Sequence, residues 1–278
     1  MKKNDLLASV LKCNACQSTN FDWQVGKLVC TACGHNYNMV HDKPVMYDNS
    51  PVNGISRGDS HDVPSKLAEY VADGRLLGLN LGAGNSTKPR PNIINVDYLL
   101  YSNADAAVDA HQLPFVDQAF DVVASFNVFE HLINPEKASS EIFRVLKPGG
   151  RLIIHTAFLQ PLHMEPYHYF NATEYGIRHW FKDFNIEQVA VSPNFSPLLN
   201  LAWMASIIQS GGKGLSKPDR LSIGNLTLDQ LATFWQDTSL GRADMWTSDI
   251  FNLSQKLPDS TKAAVAGGFE LEAVRPKQ

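Results

Sequence analysis

Leu76-Leu77-Gly78-Leu79-Asn80-Leu81-Gly82-Ala83-Gly84-Asn85 is the stretch that decides the fold. An apolar run ending in Gly-x-Gly reads as a buried strand feeding a tight turn, where glycine lets the backbone turn sharply and a ligand come close. The next apolar run, Ile93-Ile94-Asn95-Val96-Asp97, ends in an acidic residue. A carboxylate at that strand tip is placed to accept hydrogen bonds from two ribose hydroxyls, as in nucleotide-binding α/β folds. The pattern points to an adenosine-containing cofactor. Two details argue against a dinucleotide: the third glycine of G-x-G-x-x-G is absent, and the eight residues between Gly84 and Ile93 include Pro89 and Pro91. That crossover is too short and proline-rich for the helix whose N-terminus would hold a pyrophosphate. A cofactor without phosphates fits better, although a lone Gly-x-Gly serves equally as a structural turn.

Downstream blocks move the balance. Asp109-Ala110-His111-Gln112-Leu113-Pro114-Phe115 is followed by Phe120-Asp121-Val122-Val123, by Asn127-Val128-Phe129-Glu130-His131-Leu132, and by Leu146-Lys147-Pro148-Gly149-Gly150 before Arg151-Leu152-Ile153-Ile154. This ordered series resembles the class I S-adenosylmethionine-dependent methyltransferases, in particular the small-molecule group, over roughly Leu76 to Val191. The resemblance implies an α/β fold: a Rossmann-like seven-stranded sheet of order 3-2-1-4-5-7-6. It assigns the cofactor to Asn80, Gly82, Ala83, Gly84, Asn85, Asp97, Tyr98, Asp109, Ala110, His111 and Asn127. Asp109 would accept from the adenine amino group; the alternative is an N-cap or Asx-turn aspartate. Asn127, at the end of the fourth strand, would lie near the methionine part of the cofactor, on the edge where ligands collect. Asp121 reads as structural, and Glu130 and His131 read equally as capping or solvent-exposed residues. Asn134-Pro135-Glu136 reads as a helix start, with asparagine as cap and proline in the first turn, and Pro148-Gly149-Gly150 as its stop.

The second signal is N-terminal. Cys13-x-x-Cys16 and Cys30-x-x-Cys33 use all four cysteines of the chain, with thirteen residues between the pairs. Two such knuckles read as one tetrahedral Zn²⁺ site, the spacer being slightly shorter than usual. Disulfides are disfavoured because no signal peptide precedes them, and a redox pair because neither opens a helix in a βαβ unit. The segment resembles short Trm112-like zinc ribbons, which often precede or activate methyltransferases. Four thiolates close the site, so the expected role is folding or docking.

At 278 residues and 44% hydrophobic, the chain can bury a substantial core plus a small metal-stapled module. No apolar run reaches membrane-spanning length, and Met1-Lys2-Lys3 precedes no signal-type core, so a cytoplasmic location is the expectation. A net charge of −4 lowers the odds of a nucleic-acid substrate without excluding it. The expected organisation is a zinc ribbon over 1–47, a linker over 48–64 and a methyltransferase domain over 65–278. A leading helix runs from Ser65 to Asp73, and a helical insertion over 195–265 precedes the last strand.

After the fifth strand come His155, His163, Glu165-Pro166-Tyr167-His168-Tyr169-Phe170 and Asn171-Ala172-Thr173-Glu174. A loop this dense in histidine and aromatics fits a pocket wall. It resembles a stretch of methyltransferases found with sugar and cell-envelope biosynthesis, with His168 where aspartate is frequent. Methyl transfer to a hydroxyl needs in-line approach and removal of a proton, and histidine is the natural base near neutral pH. His168 or His163 is the candidate base, with His155 and His131 behind them; each can equally be a structural histidine. Asn171 with Glu174 reads as a capping pair. Phe184 to Val191 reads as a sixth strand and Gly267 to Arg275 as a last one. Between them, Leu198 to Ile208 reads as a buried helix, and Leu226–Trp235 and Ala243–Leu257 as further helices, forming a lid or an oligomer contact.

Three readings follow: a small-molecule methyltransferase, most readily of a sugar or glycan hydroxyl; an RNA methyltransferase with a basic ribbon face from Lys2, Lys3, Lys12 and Lys27; and a cofactor-binding or docking protein without turnover, with a protein partner or second copy on the ribbon or insertion.

Overall fold

The computed structural model describes residues 3–56, 65–86, 90–191, 195–236 and 248–265. They pack as two compact units. The first comprises the chain to Phe158 together with Tyr169–Val189; the second comprises Leu159–His168 and the chain from Ala190 onward.

The first unit is built on a parallel sheet. Strands β5 (Gly78–Leu81), β6 (Ile93–Asp97), β7 (Ala106–Ala107), β8 (Phe120–Phe126) and β9 (Leu146–His155) lie in the order β7-β6-β5-β8-β9, every pair parallel. All four residues of β5 are buried, as a central strand covered on both faces requires. This is the 3-2-1-4-5 part of the expected order. The expected sixth strand, Phe184 to Val191, makes no ladder with the described residues; there Phe184 and Ile186 pack onto the main core as irregular chain. A strand exists only through its partner, and the proposed partner, 267–275, lies outside the described residues.

Helix α2 (Ser65–Tyr70) buries Leu67 against Ile93, Val122 and Ala124 on one face of the sheet. Helix α3 (Pro135–Val145) starts as its sequence dictates: the Asn134 side chain accepts from the Lys137 N–H at 3.0 Å and Pro135 occupies the first turn. It ends at Val145, and β9 begins directly at Leu146, so Pro148-Gly149-Gly150 lies inside the strand span rather than in a helix stop. Asp121 is structural: it accepts from the Leu77 N–H at 2.9 Å and from Lys147 Nζ at 2.8 Å.

The N-terminal residues form helix α1 (Lys3–Val10) and the antiparallel strands β1 (Phe21–Gln24), β2 (Lys27–Cys30), β3 (Asn36–Val40) and β4 (Lys43–Pro44), in sequential order. They are grafted onto the parallel sheet. Lys12 N–H donates to Pro114 O at 2.9 Å, Val116 N–H to Val10 O at 2.8 Å and Met46 N–H to Ala107 O at 2.8 Å. Val45 pairs with Ala107 as a parallel bridge. Leu7, Leu11, Leu28, Cys30, Tyr37 and Met46 share one buried cluster with Leu79, Leu81, Phe115 and Phe120. Of the expected linker, 48–56 is partly packed: Ser56 N–H donates to Leu100 O at 2.7 Å, and Val52 and Ile55 touch the cluster around Leu100. Residues 57–64 lie outside the described residues.

Helix α4 (Glu174–Trp180) is capped by Thr173, whose Oγ1 accepts from the Gly176 N–H at 3.1 Å. The expected Asn171–Glu174 pairing is displaced because Thr173 has the extended φ/ψ that a cap needs.

The second unit is helical: α5 (Pro197–Gly211), α6 (Lys217–Gly224), α7 (Leu228–Gln236), then Asp249–Gln255 and Asp259–Ala264. Residues 243–247, the start of one expected helix, lie outside the described residues. Gly211 of α5 lies so close to Thr261 that an added Cβ would stand 2.0 Å from Thr261 Oγ1. Helix α5 buries none of its residues fully: Leu198 and Leu199 are exposed, against the expectation of a buried helix. Among the described residues no helix is long and apolar enough to cross a membrane.

Candidate functional site

The carboxyl edge of the parallel sheet gathers the candidate cofactor residues. At the end of β5 the chain turns through Gly82 (φ +76°) and Gly84 (φ +52°). The N–H groups of Gly82 and Ala83 both donate to Val96 O, at 2.8 and 3.0 Å, strapping the turn to β6. A Cβ on Gly82 would stand 2.0 Å from Val128 Cγ2. Gly84 N–H donates to Asp97 Oδ2 at 2.8 Å, and Leu99 N–H to Asp97 Oδ1 at 3.2 Å. Burial pushes the Asp97 carboxyl above the usual carboxylate range, with the N–H groups of Gly84, Leu99 and Tyr98 pulling the other way.

Beyond β8, Asn127 takes up φ +57°, and its N–H donates to His155 O at 3.0 Å. Its side-chain Oδ1 is enclosed and has no donor among the described residues. A buried acceptor without a donor is costly unless a ligand supplies one.

Asp109 follows β7 by two residues. Its Oδ1 accepts from the His111 N–H at 2.8 Å and meets His111 Nδ1 at 2.7 Å. Burial alone would raise the Asp109 carboxyl, but the two His111 hydrogen bonds, helped by the Lys137 charge, outweigh it and hold it below the usual range. His111 Nε2 accepts from the Asn134 N–H at 3.2 Å, so the ring spans two elements as an Nδ1–H donor. The Asx-turn and adenine readings of Asp109 thus coexist on one carboxylate, with the turn using Oδ1. Because the His111 N–H is spent on Asp109, it is not offered to a ring nitrogen. Asn80 lies inside the sheet, its Nδ2 donating to Asn95 Oδ1 at 3.0 Å, and Asn85 Oδ1 accepts from Ser102 Oγ at 2.5 Å. Tyr98 is half exposed and stacks on Tyr47 with ring centroids 4.9 Å apart.

The four candidate bases fall in two places. In the first unit, His155 stacks flat on Phe126, centroids 3.7 Å apart, and burial, with a smaller contribution from Lys66, lowers its pKa towards the neutral imidazole. His131 ends the single 3₁₀ turn Phe129–His131. In the second unit, His163 and His168 lie together: ring centroids are 4.2 Å apart and the His163 N–H donates to His168 Nδ1 at 3.3 Å. His163 Nδ1 is 2.8 Å from Pro161 O, and its ring lies 5.6 Å from that of Trp203.

Sequence reasoning missed Glu130. It is neither a cap nor solvent-exposed but wholly buried, with Oε2 accepting from Thr156 Oγ1 at 2.9 Å. Its carbonyl accepts from the N–H groups of Tyr169 and Phe170, tethering the chain there to the end of β8. The signal available was the acidic residue within the Phe129-Glu130-His131-Leu132 block; its burial depends on a long-range partner that no local pattern records.

The four cysteines converge in the first unit, all four Sγ atoms within 4.8 Å of one another. Cys13 Sγ and Cys33 Sγ are 3.8 Å apart, Cys16 Sγ and Cys30 Sγ 3.5 Å. All four are free thiols. The edge of a tetrahedron with Zn–S bonds of about 2.3 Å is about 3.8 Å, so the sulfurs stand where a ZnS₄ centre needs them. Tyr37 Oη lies 3.3 Å from Cys13 Sγ and accepts from the Asn14 N–H at 2.8 Å.

Comparison with known families matches residues 65–154 to the methyltransferase domain family. The match assigns residues 65–154 to a methyltransferase domain. The demethylmenaquinone methyltransferase of Thermus thermophilus is 50% identical over 108 residues, 32% of this chain and 49% of that one. The ubiquinone/menaquinone biosynthesis C-methyltransferase of Methylococcus capsulatus is 35% identical over 98 residues, 35% of this chain and 39% of its own. The chain thus spans less than half the length of these curated relatives. Among solved structures, a Haemonchus contortus phosphoethanolamine N-methyltransferase bound to S-adenosylhomocysteine aligns at TM-score 0.38 and 19% identity, over 61% of this chain and 46% of that one. The matched methyltransferase domain contains the Gly82 turn, Asp97, Asp109 and Asn127, and excludes the cysteine centre, His163 and His168.

Proposed function

We propose that this protein transfers the methyl group of S-adenosylmethionine to a small-molecule acceptor. The observation that carries the reading is Asp97: an enclosed carboxylate held by backbone dipoles at 2.8 and 3.2 Å, beside a glycine turn on the carboxyl edge of a parallel sheet. The residues present fit the cofactor. Asp97 would receive the ribose hydroxyls, Asp109 Oδ2 the adenine amino group, and the donor-starved Asn127 Oδ1 the ammonium of the methionine end. When bound, S-adenosylmethionine supplies an electrophilic methyl group; the chain's own task is to bind, orient and exclude water. Calorimetric titration with S-adenosylhomocysteine tests this directly. Micromolar binding supports the reading, and no binding by the folded, metal-loaded protein would end it.

For the acceptor we favour a sugar or glycan hydroxyl, on the strength of the histidine- and aromatic-rich segment Pro161 to Tyr175. His163 or His168 would take the hydroxyl proton. Replacing both with alanine is expected to lower turnover on the true acceptor while S-adenosylhomocysteine affinity stays unchanged. Undiminished turnover would remove both from the chemistry. The quinone-named relatives match only about a third of this chain, so an acceptor screen should run quinols beside nucleotide sugars. The RNA alternative loses Lys12 from its footprint: this lysine is nearly buried beside Asp117, 3.4 Å away, because it sits at the junction of the N-terminal residues with the sheet. The reading as a binding or docking protein without turnover would be left standing if cofactor bound and no acceptor reacted.

Cys13, Cys16, Cys30 and Cys33 would hold a structural Zn²⁺. The buried Cys13 and Cys30 belong to the cluster that also contains Leu79 and Phe115, so metal and sheet should unfold together. Purified protein is expected to carry one zinc per chain by elemental analysis. Stripping it, or Cys13→Ser, should lower the melting temperature by about 10 °C in a single transition. An unchanged melting curve after complete metal removal would refute the structural role.

A further inference from the structure

We infer that Tyr47, delivered by the N-terminal four-cysteine module, is a positioning residue for the cofactor's adenine, so that this module forms part of the cofactor site. The inference rests on the methyltransferase reading and extends it to residues outside the matched domain.

The placement follows from register. Asp97 of β6 pairs with Ala107 of β7, and Ala107 pairs in parallel with Val45. The Met46 N–H to Ala107 O bond fixes that alignment at 2.8 Å. The chain leaving β4 therefore adds a short parallel edge beside β7. Two residues past this row stand Leu99, Asp109 and Tyr47, each just beyond the carboxyl end of its strand. In a parallel sheet that is the edge where ligands bind.

Contacts then tie Tyr47 to the adenosine residues. Its ring stacks on Tyr98, centroids 4.9 Å apart and planes 23° from parallel, and its hydroxyl donates to Tyr98 O at 2.5 Å. Burial pushes the Tyr47 hydroxyl up to about 12; a hydrogen bond with Ser50 opposes this, and Tyr98, Asp109 and Asp97 add to it. Tyr98 is the residue directly after the ribose carboxylate, and its ring is still half exposed. An exposed tyrosine loses side-chain freedom when it stacks on a base; one already braced by a ring and a hydrogen bond loses less.

A second strap joins the cysteine knuckle to the adenine loop. Asn14, next to Cys13, donates through Nδ2 to Met46 O at 2.9 Å and to Gln112 O at 3.3 Å, and Gln112 Nε2 donates back to Asn14 O at 3.4 Å. The Gln112 N–H in turn donates to Asp109 O at 3.0 Å. The first knuckle is therefore hydrogen-bonded both to the residue before Tyr47 and to the loop carrying Asp109.

The test uses the zinc-loaded full chain and two probes: S-adenosylhomocysteine, and 5′-methylthioadenosine, which keeps the adenosine half and lacks the amino-acid end. Tyr47→Ala is expected to weaken both by about tenfold. Tyr47→Phe keeps the ring and should stay within about threefold of wild type. Tyr47→Ala combined with Tyr98→Ala should bind no worse than Tyr98→Ala alone, because the brace acts through that ring. A Tyr47→Ala protein that retains its zinc and melting transition and binds both probes like wild type overturns the inference. So does a loss confined to S-adenosylhomocysteine, which would place the effect at the other end of the cofactor. If Tyr47→Ala does not fold, Tyr47→Leu, which keeps apolar bulk without a ring, carries the same comparison. Wild type that binds neither probe is the separate failure of the methyltransferase reading, and this inference falls with it.

Discussion

Gly82→Ala is expected to abolish measurable binding of S-adenosylhomocysteine and to lower the stability of the unliganded protein by roughly 2–5 kcal/mol. Two independent costs meet at this atom. Gly82 holds φ +76°, where an L side chain costs about 1–2 kcal/mol. The new Cβ would also stand 2.0 Å from Val128 Cγ2, an overlap that only displacement can relieve, at about 1–3 kcal/mol. Displacement is damaging here because both flanking strands carry site residues. The Gly82 N–H is bonded to Val96, next to Asp97, and Val128 follows Asn127. Pushing the turn and Val128 apart therefore separates the Asp97 carboxylate, proposed for the ribose, from the Asn127 acceptor. Adding Val128→Ala removes the clashing methyl groups, so the double variant should recover the packing part of the loss and retain the backbone part. Thermal melts and calorimetry on the two variants separate these contributions. Wild-type affinity in Gly82→Ala would mean that the turn is structural and that the cofactor, if any, binds elsewhere.

The elements that could be read from sequence are those written in local chemistry. The buried strand before Gly82 and the acidic strand end at Asp97 are contiguous patterns; the Asn134 cap and Pro135 start of α3 need only four residues. The cysteine pairs are legible because two short turns fix two thiols each, whatever the rest of the chain does. What escaped depends on partners far apart in the chain. Asn80 reads from its neighbours as a cofactor residue, and only the fold shows that its Nδ2 also donates to Asn95 Oδ1 on the adjacent strand. Glu130 is an ordinary acidic residue until Thr156 is brought to it across the end of the sheet.

The N-terminal residues are the clearest case. Composition and spacing make 1–47 look self-contained, with its own metal ligands and its own small sheet. Yet Leu11 pairs with Phe115 and Val45 with Ala107, two bridges that no periodicity encodes. A four-cysteine module of under fifty residues buries a smaller fraction of its surface alone than a larger domain does. Here it shares the apolar core of its neighbour, and through Met46 and Tyr47 it reaches the edge where the candidate cofactor residues gather.

Asp97→Asn should separate binding from stability. Removing the charge while keeping the shape is expected to weaken S-adenosylhomocysteine about 100-fold, the equivalent of two charge-assisted hydrogen bonds of about 1.5 kcal/mol each. The unliganded protein should be as stable as wild type at neutral pH, or more so. The sign follows from the environment of the carboxylate. Burial raises its folded pKa above the unfolded value, so the folded state holds this proton more tightly. Its contribution to stability is therefore full below the unfolded pKa and is lost as pH rises through the folded one. Ionising the wild-type carboxylate carries a cost here, which backbone N–H groups offset in part and ribose hydroxyls would offset further. Asparagine carries no such cost and should remove this group's share of the acid-range slope in melting temperature. The comparison is melting temperature against pH for both proteins without ligand, beside calorimetry at pH 7. A variant that is destabilised yet binds normally would reverse the assignment, making Asp97 a structural anchor for the Gly84 turn. A variant that is stable and blind to the nucleoside would show that the fold tolerates an unfavourable charge at Asp97 because the cofactor needs it there.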